Sequence, residues 1–275
     1  TRNFSNREGS RPGKGQMASV ALMDAMSIAA TAANGGFLTP ATEYEGGYTP
    51  RAYHFNSTMY DRRVLNCFGK ADSGEEIIKG PSIGDIPEIP PLKENLLLQC
   101  TAFITDPVTT TDELIPNGES SSYRSNFEKI ANYTLSAKVP EYVGRCKKVR
   151  DWEKALLNGE NPMNTVEELG KAREMLKKHG WTVDIEALCI GSVLYANKPG
   201  DGSAREYAAS NQKVLGGWAN ICKQYATKRY RSNLINWGVL PFTTTEEMTF
   251  GVNDFLYIPE IRSQLLDGKR EIAAY

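Results

Sequence analysis

The chain has 275 residues, which allows one large domain or two small ones at roughly 150 residues per domain. Hydrophobic residues make up 40% of the chain and charged residues 24%, and the formal net charge is -1. This composition excludes an intrinsically disordered chain, and the lack of a basic excess argues against nucleic acid or a membrane surface as a partner.

In the first third of the chain, the pattern predicts one helix followed by a connector. Apolar residues recur at helical spacing over 19–34, and Gly35 and Gly36 follow as a stop. Prolines and glycines concentrated over 80–91 predict an extended connector.

Beyond residue 95, short apolar runs alternate with helical patterns. Strands are predicted over 96–104, 185–195, 218–222 and 255–258, and helices over 125–133, 140–157, 165–179, 203–213 and 232–237. Thr165 and Glu168 are expected to form a capping box at the start of the third helix of this series. The alternation predicts an α/β domain over roughly 75–275.

The segment 200–206 is a candidate anion site, because a predicted strand leads through a glycine loop into a helix. The start of a helix presents free N–H groups and partial positive charge, and the glycines let a ligand approach the backbone closely. Ser203 and Arg205 project near the same point. The alternative is a plain capping box between Ser203 and Glu206, which the spacing alone favours.

Two further segments offer candidate residues. Asp112 ends a polar turn that follows the predicted strand over 96–104, and Arg124 opens the next helix, where ligands gather in open α/β sheets. Arg2 and Arg7 form a basic amino-terminal pair, and guanidinium groups bind carboxylates bidentately. A solvated arginine and a disordered tail are the respective alternatives.

The cysteines and histidines predict no metal site in this chain. None of the five cysteines lies in a CxxC pair, and only two histidines are present. Scattered cysteines in odd number predict reduced thiols and a cytoplasmic location.

Six motifs occur in a fixed order along the chain. They are Arg2-Asn-Phe-Ser-Asn-Arg7, Lys79-Gly-Pro-Ser-Ile83, Thr111-Asp112 with Tyr123-Arg124, Gly202-Ser-Ala-Arg-Glu206, Leu215-Gly-Gly217, and Asn233-Leu followed by Gly238-Val-Leu-Pro241. In this order they resemble the carboxy-terminal part of the aconitase and isopropylmalate isomerase family of iron–sulfur hydro-lyases.

The resemblance implies a role for each candidate residue. The arginines that clamp substrate carboxylates in the family fall at Arg2, Arg7, Arg124 and Arg205. Ser203 falls at the catalytic base, and Asp112 falls at an acidic position that supports it.

The sequence departs from the family at three positions near these residues. Ala204 replaces the second serine of the substrate-binding loop, and Tyr207 and Glu113 replace family histidines. These replacements affect which substrate the family resemblance implies.

The resemblance also implies a domain organisation and a cofactor. Residues 1–45 would end the preceding cluster-side domain, 46–94 would form the linker and the entry to the next domain, and 95–275 would be the swivelling fourth domain, a layered β/β/α fold. The family's [4Fe–4S] cluster is held by three cysteines upstream of the first motif. The chain is therefore expected to contain no cluster ligand and to be inactive in isolation.

The implied function is dehydration and rehydration of a small hydroxy di- or tricarboxylic acid, such as citrate or isocitrate. The expected partners are this carboxylate substrate and the upstream catalytic domains, in the same chain or in a large subunit. Two alternatives stay open: the small subunit of a two-chain isopropylmalate isomerase-type dehydratase, and a non-catalytic relative that binds a carboxylate or RNA. The basic, tyrosine-containing run over 223–231 motivates the second alternative, although the neutral chain favours a solvated face there.

Overall fold

The computed structural model describes residues 22–45, 52–63, 69–76, 78–116 and 118–275. The chain divides into two compact units between Ile78 and Lys79. Within the described residues, the first unit contains helix α1 (Ala25–Ala33), a 3-10 turn (Ala41–Glu43) and helix α2 (Thr58–Asp61).

Helix α1 begins later than the predicted start at residue 19, because Asp24 caps it, and it ends before the glycine pair as predicted. The Asp24 side chain accepts hydrogen bonds from the backbone N–H groups of Met26 and Ser27, at 2.9 and 3.0 Å, and so satisfies donors that the first turn leaves free. Gly35 and Gly36 follow the helix with φ of 65° and 89°, a region that glycine enters without steric cost.

The second unit is an α/β fold built on two sheets. Its strands are β1 (Asn95–Ile104), β2 (Thr109–Thr110), β3 (Leu188–Ala196), β4 (Pro199–Asp201), β5 (Gly217–Cys222), β6 (Leu240–Thr243) and β7 (Phe255–Ile258). The large sheet has the order β6-β5-β3-β1-β7, in which β7 is antiparallel to β1 and the other neighbours are parallel. Strands β2 and β4 form a small parallel sheet.

The helices of this unit connect the strands. They are α3 (Thr111–Leu114), α4 (Phe127–Ala131), α5 (Tyr142–Leu157), α6 (Pro162–Thr165), α7 (Glu167–Lys178), α8 (Arg205–Val214), α9 (Lys228–Asn236) and α10 (Ile261–Leu266). The predicted α/β class is therefore confirmed.

Two local predictions are wrong. Thr165 ends α6 rather than capping the next helix, and α7 begins after Val166 without a side-chain capping bond, so the predicted Thr165–Glu168 capping box is absent. The helix predicted over 232–237 begins earlier, at Lys228, because the Thr227 side chain caps it by accepting from the Tyr230 N–H group at 3.2 Å.

The two central strands are buried on both faces, as their almost continuous apolar sequences predict. On one face, Leu97 and Ile190 pack with Val149 of helix α5. On the other face, Leu98 of β1 packs in a cluster with Trp218 of β5. Both faces of the sheet are therefore packed, and the carboxyl ends of its parallel strands lie at the same edge.

A close approach of backbones fixes the pairing of β3 with β5. A Cβ atom added at Gly191 would overlap the Trp218 ring and lie 3.0 Å from the Gly216 carbonyl oxygen. Only a residue without a side chain fits there.

We therefore expect Gly191→Ala to destabilise the fold by about 1–3 kcal/mol through overpacking, as measured by urea denaturation. Gly144→Ala is the matched control, because a Cβ atom at this position of α5 meets nothing within 4 Å. It should stabilise the helix by about 0.5–1 kcal/mol. Equal stability of Gly191→Ala and the wild type would contradict the close approach.

Helix α8 buries a lysine beneath its last turn. Lys213 is 6% exposed, its ammonium group lies 3.1 Å from the centre of the Trp218 ring, and it donates to the Gly238 carbonyl oxygen at 3.2 Å. Burial lowers the pKa of Lys213 to about 7, although Cys189 and Glu153 act in the opposite direction. In an unfolded chain the pKa of a lysine is about 10.4, so the unfolded state binds more protons above neutral pH.

Stability should accordingly rise with pH between pH 7 and 8.5, by at most about 1.4 kcal/mol per pH unit, and Lys213→Met should remove this contribution. Urea denaturation at several pH values, compared between the variant and the wild type, measures the difference in slope. Lys154→Met on the exposed face of α5 serves as the control and should keep the wild-type slope. Parallel curves for Lys213→Met and the wild type would show that Lys213 is not responsible.

Candidate functional site

Three segments meet at the carboxyl edge of the large sheet, and backbone hydrogen bonds join them. The segment after β3 receives a bond from Thr109 N–H to the Lys198 carbonyl oxygen at 3.0 Å. On its other side, the Ala226 N–H group donates to the Pro199 carbonyl oxygen at 3.0 Å. The loops that follow β1, β3 and β5 therefore lie side by side, at the position where open α/β sheets bind ligands.

The small sheet holds the loop that carries Ser203 against the helix that carries Asp112. Strands β2 and β4 pair Thr110 with Asp201. Gly202 then adopts a φ of 137°, and a Cβ atom there would overlap the Thr111 hydroxyl oxygen. The loop that carries Ser203 is thus packed directly on helix α3, which carries Asp112.

The same loop also contacts helix α9. Gly200 has a φ of 92° and lies against the Tyr230 ring so closely that no Cβ atom would fit. The Thr227 hydroxyl group donates to the Gly200 carbonyl oxygen at 3.2 Å. Because Thr227 is the N-cap of α9, the starts of α8 and α9 are held next to each other.

The cleft at the starts of α8 and α9 has a volume of ≈ 580 Å³. It is lined by Ser203, Arg205, Glu206, Lys228, Arg229, Ser232 and Asn233. Three cations, two hydroxyl groups and two helix N-termini thus face one space, an arrangement that favours an anion.

Glu206 is the carboxylate in this lining, and both of its oxygens are engaged. They accept hydrogen bonds from Asn233 Nδ2 and Trp237 Nε1, each at 2.5 Å. Helix α8 has Ala204 as its N-cap and receives no side-chain capping bond from it. Glu206 therefore joins the first turn of α8 to Asn233 in α9 and to Trp237, the residue that follows α9.

Arg205 is the most buried cation of the cleft, with 8% of its surface exposed. Burial lowers the pKa of its guanidinium group, the positive charge of Arg229 lowers it further, and Asp201 acts in the opposite direction. An arginine keeps its charge under such conditions, so the two guanidinium groups together attract anions. Forked donors of this kind suit carboxylates.

Arg124 lies beside helix α8 and is not among the residues that line the cleft. Its guanidinium carbon is 6.0 Å from the centre of the Tyr207 ring, and the Tyr207 hydroxyl group donates to the Arg124 carbonyl oxygen at 3.3 Å. Arg2 and Arg7 lie outside the described residues.

Glu113, which replaces a family histidine, has a structural role. Its carboxylate accepts from the Thr110 N–H group at 2.7 Å and from Lys138 Nζ at 3.0 Å. Desolvation alone would raise the pKa of Glu113, but the hydrogen bonds from Thr110 and Lys138 outweigh it and lower the pKa. The ionised side chain thus closes a capping box at the start of α3.

Lys228 and Arg229 are the cations of the cleft that sequence reasoning missed. The sequence favours a solvated face over 223–231, whereas the structure places both residues in the first turn of α9. The available signal was their position just after a buried strand, where a helix start faces the carboxyl edge of a parallel sheet.

The described residues do not fit a metal cluster. Within these ranges, no group of three or more His, Cys, Asp and Glu residues is placed to hold a metal ion. The thiols of Cys100 and Cys222 are buried, and burial raises the pKa of each to about 12, which disfavours the thiolate that a metal requires. Helices long and apolar enough to cross a bilayer are also absent from the described part of the chain.

Residues 165–247 match the family model of the aconitase C-terminal domain. This match confirms the resemblance of the chain to the carboxy-terminal part of the aconitase family that its motifs predict. Ser203, Ala204 and Arg205 lie inside the matched range, whereas Asp112 and Arg124 lie outside it.

Relatives of known name match different lengths of the chain. The aconitate hydratase A of Rickettsia bellii is 38% identical over 68 residues, which cover 24% of this chain and 8% of that protein. The mitochondrial homocitrate dehydratase of Saccharomyces cerevisiae is 25% identical over 189 residues, covering 66% and 21%. The mitochondrial aconitate hydratase of Candida albicans is 30% identical over 133 residues, covering 48% and 15%.

The chain thus spans about a fifth or less of the length of these relatives. Among solved structures, the 3-isopropylmalate dehydratase of Methanocaldococcus jannaschii matches with a TM-score of 0.37 and 20% identity, covering 66% of this chain and 81% of that one. Similarity at this level adds nothing to the assignment.

The contact between Gly202 and Thr111 can be tested by a double-mutant cycle. Gly202→Ala should cost about 1–3 kcal/mol of stability, because the new methyl group meets the Thr111 hydroxyl and the backbone is left-handed. In a Thr111→Ala background the obstructing oxygen is gone, so the same substitution should cost less. Strictly additive urea-denaturation energies would indicate that the two loops do not touch.

Proposed function

We propose that this chain is the carboxy-terminal portion of an aconitase-like hydro-lyase that acts on a small hydroxy di- or tricarboxylic acid. One observation carries the proposal: Ser203 and Arg205 line a single cationic cleft at the start of α8. The family match over this loop supports the assignment.

In the proposed chemistry, Arg205 binds a substrate carboxylate and Ser203 takes the proton from the adjacent carbon. A serine hydroxyl group is a very weak acid, so its alkoxide needs strong stabilisation. The N–H groups at the start of α8 and the charge of Arg205 would supply it. Asp112, on the helix packed against this loop, would support Ser203 electrostatically.

The remaining candidates would bind and orient the substrate. Arg124 lies beside α8 but outside the cleft lining, so it would hold a carboxylate elsewhere in the active site. Arg2 and Arg7 would contribute from the preceding domain. Ala204 offers only a methyl group where the family has a serine, so one hydrogen bond to the substrate would be missing. This difference points to a substrate preference distinct from that of the serine-containing relatives.

The rest of the active site would lie outside this chain. Since the described residues do not fit a cluster, the [4Fe–4S] group and its ligands are assigned to upstream catalytic domains, in the same chain or in a large subunit. When bound there, the cluster would supply the Lewis acid that polarises the leaving hydroxyl group. This chain alone is expected to be inactive, and its buried free thiols support a reducing compartment such as the cytoplasm.

Ser203→Ala tests the role of the proposed base in the complete enzyme. The substitution should lower kcat by about 10²–10⁴-fold and change KM little, because it removes the proton acceptor and leaves the cations in place. Ser136→Ala, which removes an exposed hydroxyl group that does not line the cleft, is the control and should keep the wild-type kcat. An unchanged kcat for Ser203→Ala would remove Ser203 from the mechanism.

A further inference from the structure

The first turn of α9 contributes two cations that the proposed chemistry does not use. Lys228 and Arg229 both line the cleft, opposite Ser203 and Arg205 on α8. Both side chains are exposed to solvent. Arg229 is near enough to Arg205 for its charge to affect the titration of that residue. The charges of Arg205 and Arg229 are therefore both directed at the cleft.

The charge of this pair is not neutralised within the cleft. In the described part of the chain, no ion pair is formed by Lys228 or Arg229, in contrast to Lys138, which contacts Asp106 at 2.9 Å. The cleft carboxylate, Glu206, has both oxygens directed to donors on α9. Like charges that converge without a counterion favour an anionic ligand.

Only some of the cations on α9 line the cleft. Arg231 lies two residues after Arg229 on the same helix and is equally exposed, but it is not part of the cleft lining. One face of the helix borders the cleft through Lys228, Arg229, Ser232 and Asn233, and Arg231 is not on that face.

We propose that Lys228 and Arg229 form a second carboxylate subsite, so that the cleft binds a substrate through two carboxylates, one at Arg205 and one at the start of α9. The inference rests on the proposed function, because it assumes that Arg205 holds a carboxylate. Arg229 supplies forked donors, Lys228 supplies a point charge, and the nine-residue helix adds partial positive charge at its N-terminus. The subsite selects a tricarboxylate over a dicarboxylate when a further carboxylate is held elsewhere in the enzyme.

The test measures binding to the 275-residue chain by isothermal titration calorimetry at constant ionic strength. The probes are propane-1,2,3-tricarboxylate, which cannot be dehydrated, acetate as a single carboxylate, and inorganic phosphate. Arg229→Ala should weaken binding of the tricarboxylate about tenfold and that of acetate less than about twofold. Arg231→Ala, the matched control, should change neither by more than about twofold. Thermal unfolding of both variants should match the wild type, because both side chains are exposed.

Three results would overturn the subsite: no binding of the tricarboxylate by the wild type at millimolar concentration, equal losses in the two arginine variants, or phosphate binding more tightly than the tricarboxylate at Arg229. The same experiments distinguish a failure of the subsite from a failure of the proposed function. If Ser203→Ala leaves turnover unchanged while Arg229→Ala weakens the tricarboxylate, the subsite stands without that chemistry. If Ser203→Ala abolishes turnover and Arg229→Ala changes no binding, the proposed function stands and the subsite is absent.

Discussion

The candidate site depends on how closely one loop packs between its two neighbours. Gly200 lies against the Tyr230 ring and Gly202 lies against the Thr111 hydroxyl oxygen, at distances that exclude any side chain. Because both glycines also adopt positive φ, the chain can turn from β4 into α8 without strain. This packing places Ser203 next to two different helix starts. The buried strands β1 and β3 hold the three loops at one edge of the sheet.

The sequence identified what has a strong local signal and missed what depends on distant contacts. Strand β1 and helix α5 were predictable from a continuous apolar run and from helical spacing. Strands β2 and β4 have two and three residues, too few for any periodicity, and form only because they pair with each other. The start of α9 was missed because Thr227 and Lys228 carry no apolar pattern.

Among the candidate residues, too, those with a local sequence signal were identified and the partners distant in sequence were not. Ser203 and Arg205 could be proposed from a loop and a helix start, but the spacing of Ser203 and Glu206 is equally that of a capping box. Glu206 finds donors at Asn233 in α9 and at Trp237 just after it, and no local pattern reveals partners so distant in sequence. Net charge was similarly uninformative: a chain of charge -1 concentrates three cations in one cleft.

The first turn of α9 contains one buried residue that packs in the core and two exposed cationic residues beside it. Tyr230 is fully buried, and its hydroxyl group accepts hydrogen bonds from Gln212 Nε2 at 2.7 Å and Asn220 Nδ2 at 3.3 Å, which ties α9 to α8 and β5. Lys228 and Arg229 project into solvent and make no comparable contacts. Substitutions at these two exposed positions are therefore expected to leave the packing of Tyr230 intact. If the cleft binds an anion as proposed, its preference among anions can change at Lys228 and Arg229 without a loss of stability.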